Sequence, residues 1–104
     1  MSRFLILYRA DVTAAEQMAS TDPEAGAESM KAWMDWASRA GEAIVDLGMP
    51  TQTVAGGSLG SSVGGYSIMQ SESLESLLAL FEAHPHRAAG GDIEVLEMQP
   101  IPGM

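Results

Sequence analysis

His84 and His86 flank Pro85 and are the only side chains in this sequence that titrate near neutrality by default. Placed at the end of a helix, they could complement its negative pole as imidazolium, or they could serve as an acid/base or ligand contact. Two imidazoles around one proline supply too few ligands for a metal site. Asp46 is the acid most out of keeping with its neighbours, inside the apolar run Ile44-Val45-Asp46-Leu47. A carboxylate there either sits at a rim or carries the desolvation that suits it to proton transfer. Asp46 and His84 are therefore the candidate catalytic pair, expected to line one cavity. Tyr8, Tyr66 and Trp36 are the candidate ligand contacts. Phenols orient polar or aromatic ligands, and Trp36 falls at the border of an apolar helix stripe, where it could cap a cleft or pack on a partner. For the two tyrosines, structural packing is the competing role.

Other chemistries lack their residues. With no cysteine there is no disulfide, thiolate zinc or thiol nucleophile. The glycines between Gly56 and Gly65 are not followed by the Gly-Lys-Ser/Thr of a phosphate loop, and they feed a strand instead of a helix N-terminus. No Ser-His-Asp, zinc-protease or dinucleotide fingerprint is present, so no cofactor and no metal are expected. The formal net charge is −9, from 14 acidic and 5 basic residues. That field repels phosphate backbones and anionic lipid, so neither nucleic acid nor membrane is an expected partner. The apolar run from Phe4 to Tyr8 is too short for a signal h-region, and no run reaches membrane-spanning length; a cytoplasmic protein is expected.

The elements that must hold these residues follow from periodicity. Residues 3–9 form an apolar run with Phe4, Ile6 and Tyr8 on one face and Leu5 and Leu7 on the other, a strand covered on both sides. Thr13 to Glu16 has capping-box spacing. A helix capped by Asp22, with Pro23 at its first position and Gly41 beyond its end, lays Met30, Trp33, Met34, Ala37 and Ala40 along one face. Residues 42–48 read as a second strand and residues 50–65 as an exposed loop or weak hairpin. A strand over 65–70, a helix over 72–83 burying Leu74, Leu77, Leu78 and Phe81, and a strand over 92–99 complete the chain.

The order βαββαβ over the single domain 1–104 gives an α+β, ferredoxin-like sandwich with both helices on one face of a four-stranded antiparallel sheet. Two helices cannot cover both apolar faces of such a sheet. The open face calls for a partner, most simply a second copy, giving a homodimer.

Tyr8 ending the first strand, Trp33 and Trp36, Ala40-Gly41 before the second strand, Gly64-Gly65-Tyr66 opening the third and Ile93-Glu94-Val95 in the last together resemble the YCII-related family, which includes proteins with an Asp-Gly-Pro-Phe signature. The resemblance implies a dimeric α/β barrel, usually bacterial, with two sheets facing each other across a cleft. Some members are dechlorinating or lyase-like enzymes on hydroxylated aromatic rings, and related domains occur beside sigma factors. This sequence has Gly57-Ser58-Leu59-Gly60 in place of the signature, and Ala10-Asp11-Val12-Thr13 where enzymatic relatives carry the histidine of a His-Asp pair. Two functions remain open: a small-molecule-binding protein that could act as a cofactor-free enzyme on an aromatic or hydroxylated metabolite, or a non-catalytic interaction or regulatory module that could be transcription-linked through a protein partner.

Overall fold

Alternation of apolar side chains makes the first strand, and the computed structural model places it at the centre of the sheet. The structure describes residues 1–10, 22–56, 63–88 and 90–103. Strand β1, Ser2–Arg9, pairs antiparallel with both β3, Val63–Ser71, and β4, Asp92–Glu97. The edge strand β2, Ile44–Asp46, pairs with β3, giving the order β2-β3-β1-β4. The register Tyr8↔Gly65, Ile6↔Ser67 and Phe4↔Met69, with Tyr8↔Ile93 across the other edge, puts these residues on one face. That face carries the core: Phe4, Ile6, Tyr8, Met69 and Ile93 pack with Trp36, Ala40, Leu77 and Phe81 from the helices.

Helix α1, Pro23–Ala40, begins as its punctuation predicts. Asp22 Oδ1 accepts from Ala25 N at 2.8 Å, Pro23 takes the first turn, and Gly41 at φ 54 ends it with its N–H on the Ala37 carbonyl. The buried stripe is turned from the expected one. Met30 and Met34 are 63% and 50% exposed, while Trp36, read as a border residue, is at the centre with 2%. Both stripes satisfy a 3.6-residue period. The one that faces inward buries the larger aromatic surface and gives the indole N–H a partner, the Leu80 carbonyl at 2.7 Å.

Strand β2 is shorter than expected. Residues Gly41–Ala43 wind into a 3-10 turn, and beyond the strand the Asp46 carboxylate accepts from Gly48 N at 2.9 Å, turning the chain through a Gly48 with φ 81. Pro50 then bridges to Gly65, so part of the expected loop continues the hairpin as the weak pairing allowed. The Thr13 to Glu16 capping box and the Gly57 to Gly60 segment lie outside the described residues.

Helix α2, Leu74–Leu80, is capped by Ser73 and is shorter than the sequence suggests. Its last turn tightens: Phe81, Glu82 and His84 each donate to the carbonyl three residues back. Leu77 and Phe81 are fully buried, whereas Leu74 and Leu78 are 50% and 40% exposed. The helix ends well before Pro85, which instead opens another, the single turn α3, Pro85–Ala88. The opposite face of the sheet presents Leu5, Leu7, Tyr66 and Ile68, half-buried, with Leu96 and Met98 at its exposed edge. An Arg9–Glu94 ion pair of 2.9 Å crosses two strands on that face.

Candidate functional site

A polar strip runs between sheet and helices, starting at the C-terminal end of β1. Tyr8, on the helix-facing parity of that strand, reaches Ser67 on β3, with hydroxyl oxygens 2.8 Å apart. Ser67 Oγ donates in turn to the Leu47 carbonyl. A carbonyl only accepts, and a serine hydroxyl has one proton, so the order of donation is Tyr8 to Ser67 to Leu47. Burial pushes the Tyr8 phenol up from its ordinary range, opposed by the Ser67 hydrogen bond. At the pH values where proteins fold, this phenol is a donor.

His84 lies beside Tyr8 and is fully buried. It occupies the N-cap position of α3: its carbonyl accepts from Ala88 N at 3.1 Å, and its Nδ1 accepts from His86 N at 3.0 Å, the bond that Asp or Ser makes in an ordinary cap. Four rings surround it. Tyr8 stacks at 5.2 Å and 24°, while Trp33 and Trp36 meet it edge-on at 4.5 and 4.3 Å, and Phe81 is tilted at 5.8 Å. Its Nε2 has no hydrogen-bond partner among the described residues. Desolvation, and then the charges of His86 and Arg87, lower its pKa to about 4. Near pH 7 the ring is neutral.

His86, from the same turn, points its Nε2 at the Arg9 carbonyl, 2.8 Å away, and therefore donates there. Its ring lies over Gly91 so closely that a Cβ at that position would overlap the imidazole, and its edge meets Tyr8 at 5.5 Å. The His-Pro-His turn thus fastens the end of β1 and the start of β4 while aiming His84 inward.

Of the residues singled out from sequence, Tyr8, Trp36 and His84 come together here. Asp46 and Tyr66 do not join them. Asp46 pairs with Ile68 and Tyr66 with Leu7, so both belong to the opposite parity and the sheet lies between them and His84. Asp46 is exposed, at the rim of the edge strand, and its carboxylate serves the Gly48 turn. The solvent-facing helix terminus considered for His84 is replaced by full burial, because the chain folds back at Pro85 and lays the imidazole beneath α1. Ser67 is the member that the sequence reading missed; Trp33 was read only as part of the helix stripe, and His86, weighed beside His84 as an acid/base or ligand contact, was not among the named site residues. A signal for Ser67 was present: it is the polar side chain on the shared parity between Gly65 and Met69, inside the strand and not at its end. Among the described residues no three His, Asp or Glu side chains converge as metal ligands, and no helix is long and apolar enough to cross a membrane.

A four-stranded antiparallel sheet in the order β2-β3-β1-β4, with α1 and α2 on one face, defines a small α+β protein consistent with the ferredoxin-like sandwich. No protein-family model matches the chain, and neither does any curated protein. Among solved structures it is similar to 5-chloro-2-hydroxyhydroquinone dehydrochlorinase from Burkholderia phenoliruptrix AC1100, in complex with 2,5-dihydroxybenzoquinone. The two share 17% sequence identity over 90% of this chain and 91% of that one, with a TM-score of 0.53. At that identity the likeness is one of fold.

Proposed function

We propose that this chain is a YCII-related protein that binds a small hydroxylated aromatic molecule at the Tyr8–His84 cluster, as a homodimer and without a cofactor. One observation carries the reading: a fully buried imidazole nitrogen with no hydrogen-bond partner among the described residues, in a ring-lined site. Buried polar groups in folded proteins are normally satisfied, and one left open beside aromatic faces is what a flat, oxygen-bearing ligand would complete. The fold shared with a dehydrochlorinase solved with a dihydroxybenzoquinone supports the same ligand class. Asp46 and Tyr66 would act, in this reading, from the open face that meets the second copy. An interface of roughly 800 Å² per partner is the usual size for a stable pair, and Leu5, Leu7, Ile68 and Leu96 offer the apolar surface for it. Sedimentation should then give twice the chain mass at micromolar concentration; a monomer would remove the barrel from the proposal.

Both tryptophans of the chain, Trp33 and Trp36, touch His84, so their emission reports on the site directly. Titration with 2,5-dihydroxybenzoquinone, corrected against free tryptophan amide, should quench that emission saturably. Loss of quinone absorbance with time would add turnover to binding. Absence of saturable quenching at millimolar probe would favour a second reading, an interaction or regulatory module working through a protein partner. That reading has its own support in the outer helix surface, where Met30, Met34, Leu74 and Leu78 are all 40% or more exposed.

A further inference from the structure

The tautomer of His84 is set by its place in the fold, and it decides what the site can recognise. The backbone N–H of His86 points at Nδ1 from 3.0 Å, so Nδ1 is the acceptor nitrogen and the single proton of the neutral ring sits on Nε2. Moving that proton to Nδ1 would set two donors face to face at the first turn of α3 and leave the His86 N–H unsatisfied in a half-buried turn. The unpartnered atom is therefore an N–H and not a lone pair.

Resting on the small-molecule reading above, we infer that His84 Nε2–H is the hydrogen-bond donor of this site, and that its ligand presents an acceptor oxygen, a ring carbonyl or a ring-bound oxyanion, arriving past Trp33. Trp33 is the one partly exposed ring of the four around His84; Tyr8, Trp36 and Phe81 are 4%, 2% and 0% exposed. Trp36 is also tied by its indole N–H to Leu80 and Tyr8 by its hydroxyl to Ser67, so neither can swing aside without orphaning a buried polar group. Among the described residues Trp33 has no such tie. It is the side chain that can move to admit a ligand, and its departure would uncover the His84 edge while Tyr8 and Trp36 stay in place.

Two consequences separate this from a general acid/base role. His84 polarises an oxygen and does not abstract a proton, because its only basic nitrogen is already engaged by the backbone. Ligands that offer only donors, ammonium groups above all, are rejected, since they would meet an N–H with an N–H.

Long-range nitrogen–proton NMR on the labelled full chain tests this in two stages. In the free protein His84 should show a pyrrole-type Nε2 and a pyridine-type Nδ1. On saturation with 2,5-dihydroxybenzoquinone the Nε2–H resonance should move downfield, while p-xylene, the same ring without oxygens, should leave it in place. His84→Phe should weaken binding of the dihydroxybenzoquinone roughly tenfold or more, the usual worth of a hydrogen bond to a charged or strongly polar acceptor, and His84→Gln should retain part of it. A pyrrole-type Nδ1 in the wild-type chain would overturn the inference without any ligand. Saturable quenching with an unmoved Nε2–H would overturn it alone and leave the binding reading standing. No binding of the dihydroxybenzoquinone at millimolar concentration would overturn both.

Discussion

The Tyr8–Ser67–Leu47 relay predicts a substitution whose effect changes sign with its background. Tyr8→Phe removes the terminal donor; Ser67 keeps its proton on the Leu47 carbonyl and loses only an accepted bond. A hydrogen bond lost in this way costs about 0.5–1.5 kcal/mol. Ser67→Ala is a different injury. It strands the Tyr8 hydroxyl under the helices, where the residue is 4% exposed, and also deprives Leu47 of its donor. Each buried group left unsatisfied costs about 1–3 kcal/mol, so the pair amounts to roughly 2–4 kcal/mol, with the half-buried Leu47 at the low end of its range. A domain of this size has about 5–15 kcal/mol in hand, so the variant should still fold. In the Ser67→Ala background, Tyr8→Phe then deletes one of the two orphaned groups and should restore about 1–3 kcal/mol. Urea unfolding followed by tryptophan emission on the wild type, both single variants and the double variant gives the cycle. Simple additivity, within the few tenths of a kcal/mol expected of independent sites, would refute the donor order argued here.

Three further outcomes can be measured with the same unfolding assay. His84 has a folded pKa of about 4 against an ordinary 6.5, so the unfolded chain takes up its proton first; stability from this group is full above pH 6.5 and falls towards pH 4. The loss reaches about 3 kcal/mol at 1.36 kcal/mol per pKa unit, and the wild type minus His84→Phe difference should show that slope; a flat difference over the window would contradict the burial of the ring. Gly48→Ala should cost about 3 kcal/mol or more, because φ is 81 and the new Cβ would overlap the Tyr66 carbonyl. Gly41→Ala, at φ 54 and ψ −121 in open space, meets backbone strain alone and should cost about 1–3 kcal/mol, and a Gly48→Ala cost no larger than that of Gly41→Ala would mean that the close approach of the β2–β3 turn is absent. Asp22→Ala should lose about 1 kcal/mol with the α1 cap and Asp22→Asn much less; identical losses would show that the carboxamide oxygen cannot replace the Asp22 cap.

Signals carried by neighbouring residues were legible before any fold was known. Asp22-Pro23 and Gly41 bound α1 because caps act on backbone groups within one turn. The alternation of β1 and the order βαββαβ followed from side-chain period alone, and with them the sheet and its helices. The tertiary structure decided which of two equivalent choices was used. Trp33, Ala37 and Ala40 fit a helical stripe with either Met30 and Met34 or Trp36, and only packing against Leu80 and Phe81 turns Trp36 inward. The parities of β1 and β3 were readable, but not which would lie under the helices, and that choice puts Tyr8 with Ser67 while leaving Tyr66 and Asp46 on the other side of the sheet. His84 is the sharpest case. Its neighbours in sequence, Ala83 and Pro85, say only that a helix stops; its tautomer is set by the His86 N–H in the turn that follows, while its burial comes chiefly from Tyr8, Trp33 and Trp36, at least 48 residues away in the chain. Burial depends on the elements that pack over a residue, and no local pattern encodes that.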